Sequence, residues 1–206
     1  MNQIKSKDRV RDLAEVFTNE REVKSMLDLI PQKNEDDIIS LKYLEPACGN
    51  GNFLVEILSR KLDRVNKKYA NKSLKEFEFF TIRALTTIYG IDICPENTSE
   101  ARERLFWIIK NNFDLNKGSY IPSEGFYELA SYVLEKNIVR GDSINHPEEI
   151  YITEFKVQGK RFARLKYCFL DIINNKKPSP ISTKPYENFL SIGLKLVKKP
   201  QLEFEI

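Results

Sequence analysis

Cysteine, histidine, tryptophan and methionine are scarce in this chain of 206 residues, at three, one, one and two copies. Cys48, Cys94 and Cys168 have neither paired nor metal-ligand spacing. That argues against a disulfide framework or a cysteine-based metal centre, and makes a reducing cytoplasm the simplest home. With His146 as the lone histidine, no metal site built on imidazoles is expected. No apolar run approaches the ~20 residues of a membrane span. Met1 to Val10 is polar and charged rather than a secretory leader, so no membrane association is expected.

What is present is a hydrophobic content of 41%, enough for one compact core, and a net charge of +3 that is unevenly spread. Residues 156–199 hold eleven Lys or Arg against two acids, Asp171 and Glu187, while residues 1–155 hold 22 bases and 26 acids. A basic end on a near-neutral body is what attraction to phosphate requires, and it is equally what a solvated basic surface looks like.

The chain is organised around Leu41 to Leu54. It reads as a short apolar strand ending in Glu45, a tight turn holding Gly49 and Gly51, and a helix starting near Asn52. Glycines let the backbone take turn geometries closed to other residues, and a helix start offers unpaired amide groups. A carboxylate at the lip of such a turn would repel phosphate and attract a cation. A nucleoside that carries positive charge and no phosphate is the ligand this combination favours.

The residues Glu45-Pro46-Ala47-Cys48-Gly49-Asn50-Gly51-Asn52-Phe53-Leu54 resemble the cofactor motif of the amino-group DNA methyltransferases, in particular the modification subunits of restriction systems. That motif is usually written Asp-Pro-Ala-Cys-Gly-Ser-Gly-x-Phe-Leu; Glu45 and Asn50 are the departures. Glu15-Val16-Phe17-Thr18-Asn19 is similar to a second element of that family, Gly-Glu-Val-Phe-Thr-Pro. The resemblance implies S-adenosylmethionine as cofactor, bound by Glu45, Pro46, Ala47, Cys48, Gly49, Gly51, Asn52 and Phe53. It also implies Phe17 packing on the cofactor and Thr18 bonding its carboxylate. From the residues alone, Phe17 is a hydrophobic staple for the helix that follows.

Asn19 or Thr18 caps a helix to Ile30 that puts Val23, Met26, Leu27 and Ile30 on one face. A helix from Asn52 to about Lys68 buries Phe53, Leu54, Ile57, Leu58, Leu62 and Val65 and leaves Arg60, Lys61 and Arg64 mostly outside. Another helix is expected over Leu74 to Thr87. The second strand, Thr87 to Ile93, ends in Asp92, whose carboxylate suits the ribose hydroxyls of a bound nucleoside, with Ile93 beside it, or else caps the helix from Glu96 to about Asn112. Residues 116–125 read as a loop and Glu128 to Leu134 as a helical turn. A third strand, Asn137 to Ser143, ends in Gly-Asp; the resemblance implies that Asp142, with Ser143, meets the adenine, while a carboxylate in such a turn also has a purely local use. Alternation around Gly159 predicts a hairpin over 151–170, Leu170 to Ile173 reads as a fourth, core strand, and Tyr186 to Lys195 as a helix.

The family's catalytic loop, Asp or Asn, then Pro-Pro, then an aromatic, should follow that fourth strand. Asn174-Asn175-Lys176-Lys177-Pro178-Ser179-Pro180 stands there instead, and lysine offers no acceptor to an amine. No catalytic residue and no metal ligand is therefore assigned. The expected fold is an α/β, Rossmann-like, three-layer methyltransferase sandwich with an incomplete, mostly parallel sheet of about four strands and a C-terminal β-hairpin. It divides into an N-terminal arm and helix (1–40), a cofactor-binding core (41–150), and a hairpin, fourth strand and basic segment (151–206). By resemblance the chain binds S-adenosylmethionine in a DNA adenine-N6 methylating system and works with DNA through another restriction-modification subunit or a homo-oligomer. The alternative is a non-catalytic regulatory or scaffold subunit using the same fold.

Overall fold

The computed structural model describes residues 18–30, 38–174 and 178–197. Phe17 and the 175–177 part of the loop discussed above lie outside them. The described chain runs α1 (Glu20–Asp28), β1 (Tyr43–Glu45), α2 (Asn52–Tyr69), α3 (Leu74–Leu85), β2 (Ile88–Asp92), α4 (Pro95–Lys117), α5 (Phe126–Asn137), β3 (Ile138–Arg140), a 3-10 turn (Pro147–Glu149), β4 (Tyr151–Gln158), β5 (Arg161–Cys168), α6 (Phe169–Ile173), β6 (Ser182–Asn188) and α7 (Phe189–Val197). The class is α/β, with two small sheets, one parallel and one antiparallel, and no closed barrel. No helix among the described residues is long and apolar enough to cross a membrane.

β1, β2 and β3 form the parallel sheet in that order, Leu44 facing Tyr89 and Ile91 facing Val139. β2 is the middle strand, and its buried run Ile88-Tyr89-Gly90-Ile91 is what a strand covered on both faces needs. The order follows the chain without reversing, so these strands do not by themselves make the expected crevice at a reversal. The hairpin β4–β5 forms in the register set by the Gln158–Arg161 turn, and β6 pairs with β5 to complete the antiparallel sheet.

Four expectations are corrected. Leu170 to Ile173 lies in the helix α6, not in a fourth strand, so the parallel sheet has three strands among the described residues. A four-residue apolar run carries no periodicity that separates strand from helix. Phe169 alone is buried there, against Ile91 and Ile150, and Ile173 is 48% exposed. Helix formation after Pro178 starts at Phe189 rather than Tyr186, because 182–188 is a polar edge strand that tolerates Pro185. The turn expected over Glu128 to Leu134 is a three-turn helix, α5. Its entry residue Gly125 sits at φ +85°, where an added Cβ would come 2.4 Å from the backbone of Gly193, so only glycine lets α7 come this close. Val23 and Leu27 of α1 are buried, but Met26 and, just past its end, Ile30 are exposed: among the described residues α1 rests mainly on α2, which covers a narrow stripe.

A fifth departure concerns Lys61, expected outside and in fact fully buried. It falls on the stripe Leu54, Ile57, Leu58, Lys61, Leu62, Val65, and its Nζ donates to the carbonyls of Ile38 (2.8 Å) and Leu41 (2.6 Å), to Thr87 Oγ1 (2.8 Å) and to Ile39 O (3.3 Å). Burial pushes its ammonium down to about 7, and those four oxygens offset part of that cost. The lysine thereby ties the lead into β1 to α2 and to the start of β2. The core runs on from the helices into the antiparallel sheet: Phe79 on α3 packs on Phe162 of β5 at 5.4 Å between ring centres and on Phe189 of α7 at 5.5 Å.

Candidate functional site

β1 delivers its chain to the carboxyl end of the parallel sheet, where the turn to α2 begins. Cys48 N–H donates to Ile91 O (2.8 Å), so the turn is docked on the end of β2. Gly49 and Gly51 have φ of +53° and +87°, the left-handed region that a residue with a Cβ enters at a cost of about 1–2 kcal/mol. At Gly51 an added Cβ would also stand 3.0 Å from Ala101 Cβ, so this glycine lets α4 pack against the turn. α2 starts at Asn52 with no side-chain cap and no acid in its first turn, which leaves its amide end without a side-chain acceptor of its own.

α4 clamps the turn from one side. Arg104 Nη1 donates to Asn50 O and Asn52 Oδ1, both at 2.8 Å, and Asn50 Nδ2 donates to Glu100 Oε1 at 2.8 Å. Asn52 Nδ2 in turn donates to Thr18 O (3.0 Å), which brings Thr18 to the motif. Sequence reasoning missed Glu100 and Arg104. Their four-residue spacing puts both on one face of α4, but which loop that face meets is a long-range fact.

Asp92 Oδ2 accepts Gly49 N–H (2.8 Å), and its Oδ1 accepts Cys94 N–H (2.9 Å) and Asn97 Nδ2 (3.3 Å). Asp92 is thus fastened to the glycine turn, while Cys94, not Asp92, occupies the cap position of α4. Pro46 O accepts Ser143 Oγ (2.8 Å), and Gly141 N–H donates to Asp92 O (3.0 Å), so the loops after β1, β2 and β3 meet at one rim. Asp142 itself turns into its own loop: Oδ1 accepts the amides of Ile144 (3.0 Å) and Asn145 (2.8 Å), and Oδ2 accepts Asn145 Nδ2 (2.8 Å). Those bonds hold its carboxyl below the usual range. In this arrangement it serves the turn.

Cys48 lies buried between the two remaining acids; burial first, then the carboxylates of Asp92 and Glu45, push its thiol up to about 12. Its role here is packing, not nucleophilic attack. Glu45 is half-buried, accepts the Ala47 amide, and has its carboxyl raised by burial; among the described residues no cation pairs with it. Asn50 Oδ1, in the same turn, is buried with no donor. Ala47 and Phe53 follow the motif into the start of α2, and Ile93 stands half exposed beyond Asp92.

No family model, curated protein or solved structure matches the chain. The site is therefore read from its own geometry. Among the described residues, larger cavities lie off the rim. One, of about 480 Å³, runs along α1 and α2 and reaches Asn52 and Arg104. An apolar groove of about 520 Å³ lies between the parallel sheet at Leu44 and Tyr89 and the antiparallel sheet at Ile152 and Tyr167. The third, of about 350 Å³, is a cationic groove beside β3. Glu45, Asp92 and Asp142 line none of these three. His146, Glu148 and Glu149 come within 4.8 Å of one another on the 3-10 turn, which sequence spacing did not flag; all three are exposed.

Proposed function

We propose that the rim after β1, β2 and β3 binds S-adenosylmethionine, and that the chain is the cofactor-binding part of a DNA adenine-N6 methyltransferase of restriction-modification type. The observation that carries this reading is the pair Glu45 and Asn50: among the described residues, a half-buried carboxylate without a cation and a buried oxygen without a donor, both in the turn that resembles the family's cofactor motif. A ligand bearing a cation and hydrogen-bond donors satisfies both. When bound, the cofactor would supply a methyl group activated on a sulfonium.

The chain's own residues then bind and orient. Glu45 takes the positive charge, and the uncapped start of α2 takes a carboxylate. Asp92 has used three of its roughly four lone-pair directions, so it accepts one ribose hydroxyl as it stands and a second on release of the long Asn97 bond. Asp142 reaches an adenine amine only by giving up part of its turn, which makes Ser143 and the backbone of that loop the nearer contacts. Thr18, whose carbonyl accepts Asn52 Nδ2, borders the site from the N-terminal side. The order β1-β2-β3 with all three loops at one rim supports a Rossmann-like, three-layer arrangement.

Methyl transfer to an amine needs an acceptor-and-aromatic loop, which this reading assigns to residues outside these 206 or to another chain. Among the described residues β1 is an edge strand of the parallel sheet, which offers a second subunit or a second copy a place to join. A second reading, a non-catalytic S-adenosylmethionine-binding regulatory or scaffold subunit, is favoured by the helical α6 standing where a strand should present that loop. Calorimetry with S-adenosylmethionine and with S-adenosylhomocysteine, which lacks the sulfonium charge, tests the common core of both. Both ligands carry the α-ammonium assigned to Glu45, so the native chain should bind both and Glu45→Gln should weaken both. Unchanged affinity in Glu45→Gln would contradict the assignment of Glu45.

A further inference from the structure

The groove of about 350 Å³ beside β3 is built from one face of the antiparallel sheet, the last turns of α5 and Val139. Four cations line it, Lys136, Arg164, Lys166 and Lys184, against one acid, Glu135, which is bonded to Lys136. Their grouping follows from register. Arg164 and Lys166 are two apart on β5 and so share a face; Lys184 of β6 pairs opposite Arg164, and Ser182 opposite Lys166. Phe162 continues the same face into the core, which fixes the orientation of the whole row.

Like charges gathered this closely repel, so something must compensate them. Glu187 bonds Arg164 Nη2 (2.9 Å) and is shared with Lys195, and Arg164 Nε is buried with no acceptor. Lys166 lies 4.3 Å from the centre of the Tyr151 ring and has no acid partner among the described residues; neither has Lys184. Tyr151 is 41% exposed, and Tyr132 carries Lys136 on its ring at 5.4 Å. Cations with missing acceptors grouped around Tyr151, which is exposed, match the chemistry of a nucleic-acid single strand: phosphates for the former, a base for the free side of the ring. An acidic polypeptide would satisfy the charges and leave that side of the ring without a stacking partner.

We propose that this groove binds single-stranded nucleic acid, with Lys166 and Lys184 on phosphates and Tyr151 as a stacking surface. It lies three residues along β3 from Asp142, on the flank of the rim, yet it stands on its own observations and does not require the cofactor reading.

The test is fluorescence anisotropy of labelled oligothymidylate with the full chain across a salt series. Each phosphate contact contributes a slope of about 0.7 in log affinity against log salt for a single strand, so the double variant Lys166→Gln, Lys184→Gln should bind at least tenfold more weakly with a slope shallower by about 1.4. Lys156→Gln, exposed on the opposite face of β4, should behave as the native chain. Tyr151→Leu should weaken binding without changing the slope. Circular dichroism melts of all variants check folding, and S-adenosylmethionine titration of the double variant should be unchanged, which keeps failure of this site separate from failure of the rim. Salt-independent binding, equal loss in Lys156→Gln, or displacement of the strand by polyglutamate as readily as by unlabelled oligothymidylate would overturn the proposal.

Discussion

In the turn after β1, Gly49, Asn52, Arg104 and Asp92 answer one another's hydrogen bonds, whereas in the groove beside β3, among the described residues, Lys166 and Lys184 lack acids and Arg164 Nε lacks an acceptor. The turn is shaped by the protein before any ligand arrives, and among the described residues Glu45, without a cation, and Asn50 Oδ1, without a donor, are local and specific. The groove is held by sheet register and leaves its charge to be balanced from outside. A preformed turn spends little on ordering itself when a small ligand binds. An open row of cations suits a flexible polyanion held mainly by charge and therefore weakened by salt.

The largest way to break this contrast is to unfasten the frame of the turn at Lys61. Lys61→Met strands the carbonyls of Ile38 and Leu41 and takes one donor from Ile39 O and Thr87 Oγ1, which keep their other partners; it should cost about 3 kcal/mol in urea denaturation and release the lead into β1, while groove substitutions leave stability within about 0.5 kcal/mol. Next, Gly51→Ala meets both the left-handed backbone and Ala101, and should lower stability by about 2 kcal/mol. Its thermal melt would show the loss even without ligand, because the strain belongs to the fold.

The comparison is sharpened by pH. Burial raises Glu45's carboxyl, and only its ionised form attracts a cation, so affinity for S-adenosylmethionine should rise with pH through that raised value and then level off. In the sign of the linkage, binding the cation lowers Glu45's pKa and releases a proton. Calorimetry in buffers of different ionisation heat measures that release, and Glu45→Gln should abolish it. The smallest effect is expected at α6: Ile173→Lys should be neutral within about 0.5 kcal/mol, because the side chain is half exposed, whereas Phe169→Ala should cost about 3 kcal/mol. A core strand over Leu170 to Ile173 would make both severe.

Legibility in the sequence followed the range of the interactions. Glu45 to Leu54 could be read because strand, glycine turn and helix start are encoded within ten consecutive residues, and the 151–168 hairpin because its alternation and its Gly159 turn are local. Lys61 was legible in principle, since 54, 57, 58, 61, 62 and 65 make one helical stripe, but charge was weighed above position. Leu170 to Ile173 was too short to have a period, and β6 hid its strand behind polar residues and Pro185. At the site, the motif announced Gly49, Gly51 and Glu45. It could not announce that Asp142 would spend its carboxylate on Asn145, or that Glu100 and Arg104 would reach the turn from α4, because those are meetings of distant segments.

The central claim is that a charged nucleoside lies on the rim where these loops meet. Backbone amide NMR of the chain titrated with S-adenosylmethionine tests it most directly. The account predicts saturable shifts at Gly49, Gly51, Asn52, Asp92, Ile93 and Ser143, with Lys166 and Lys184 unmoved. Shifts concentrated away from the rim, or none at saturating ligand, would contradict it.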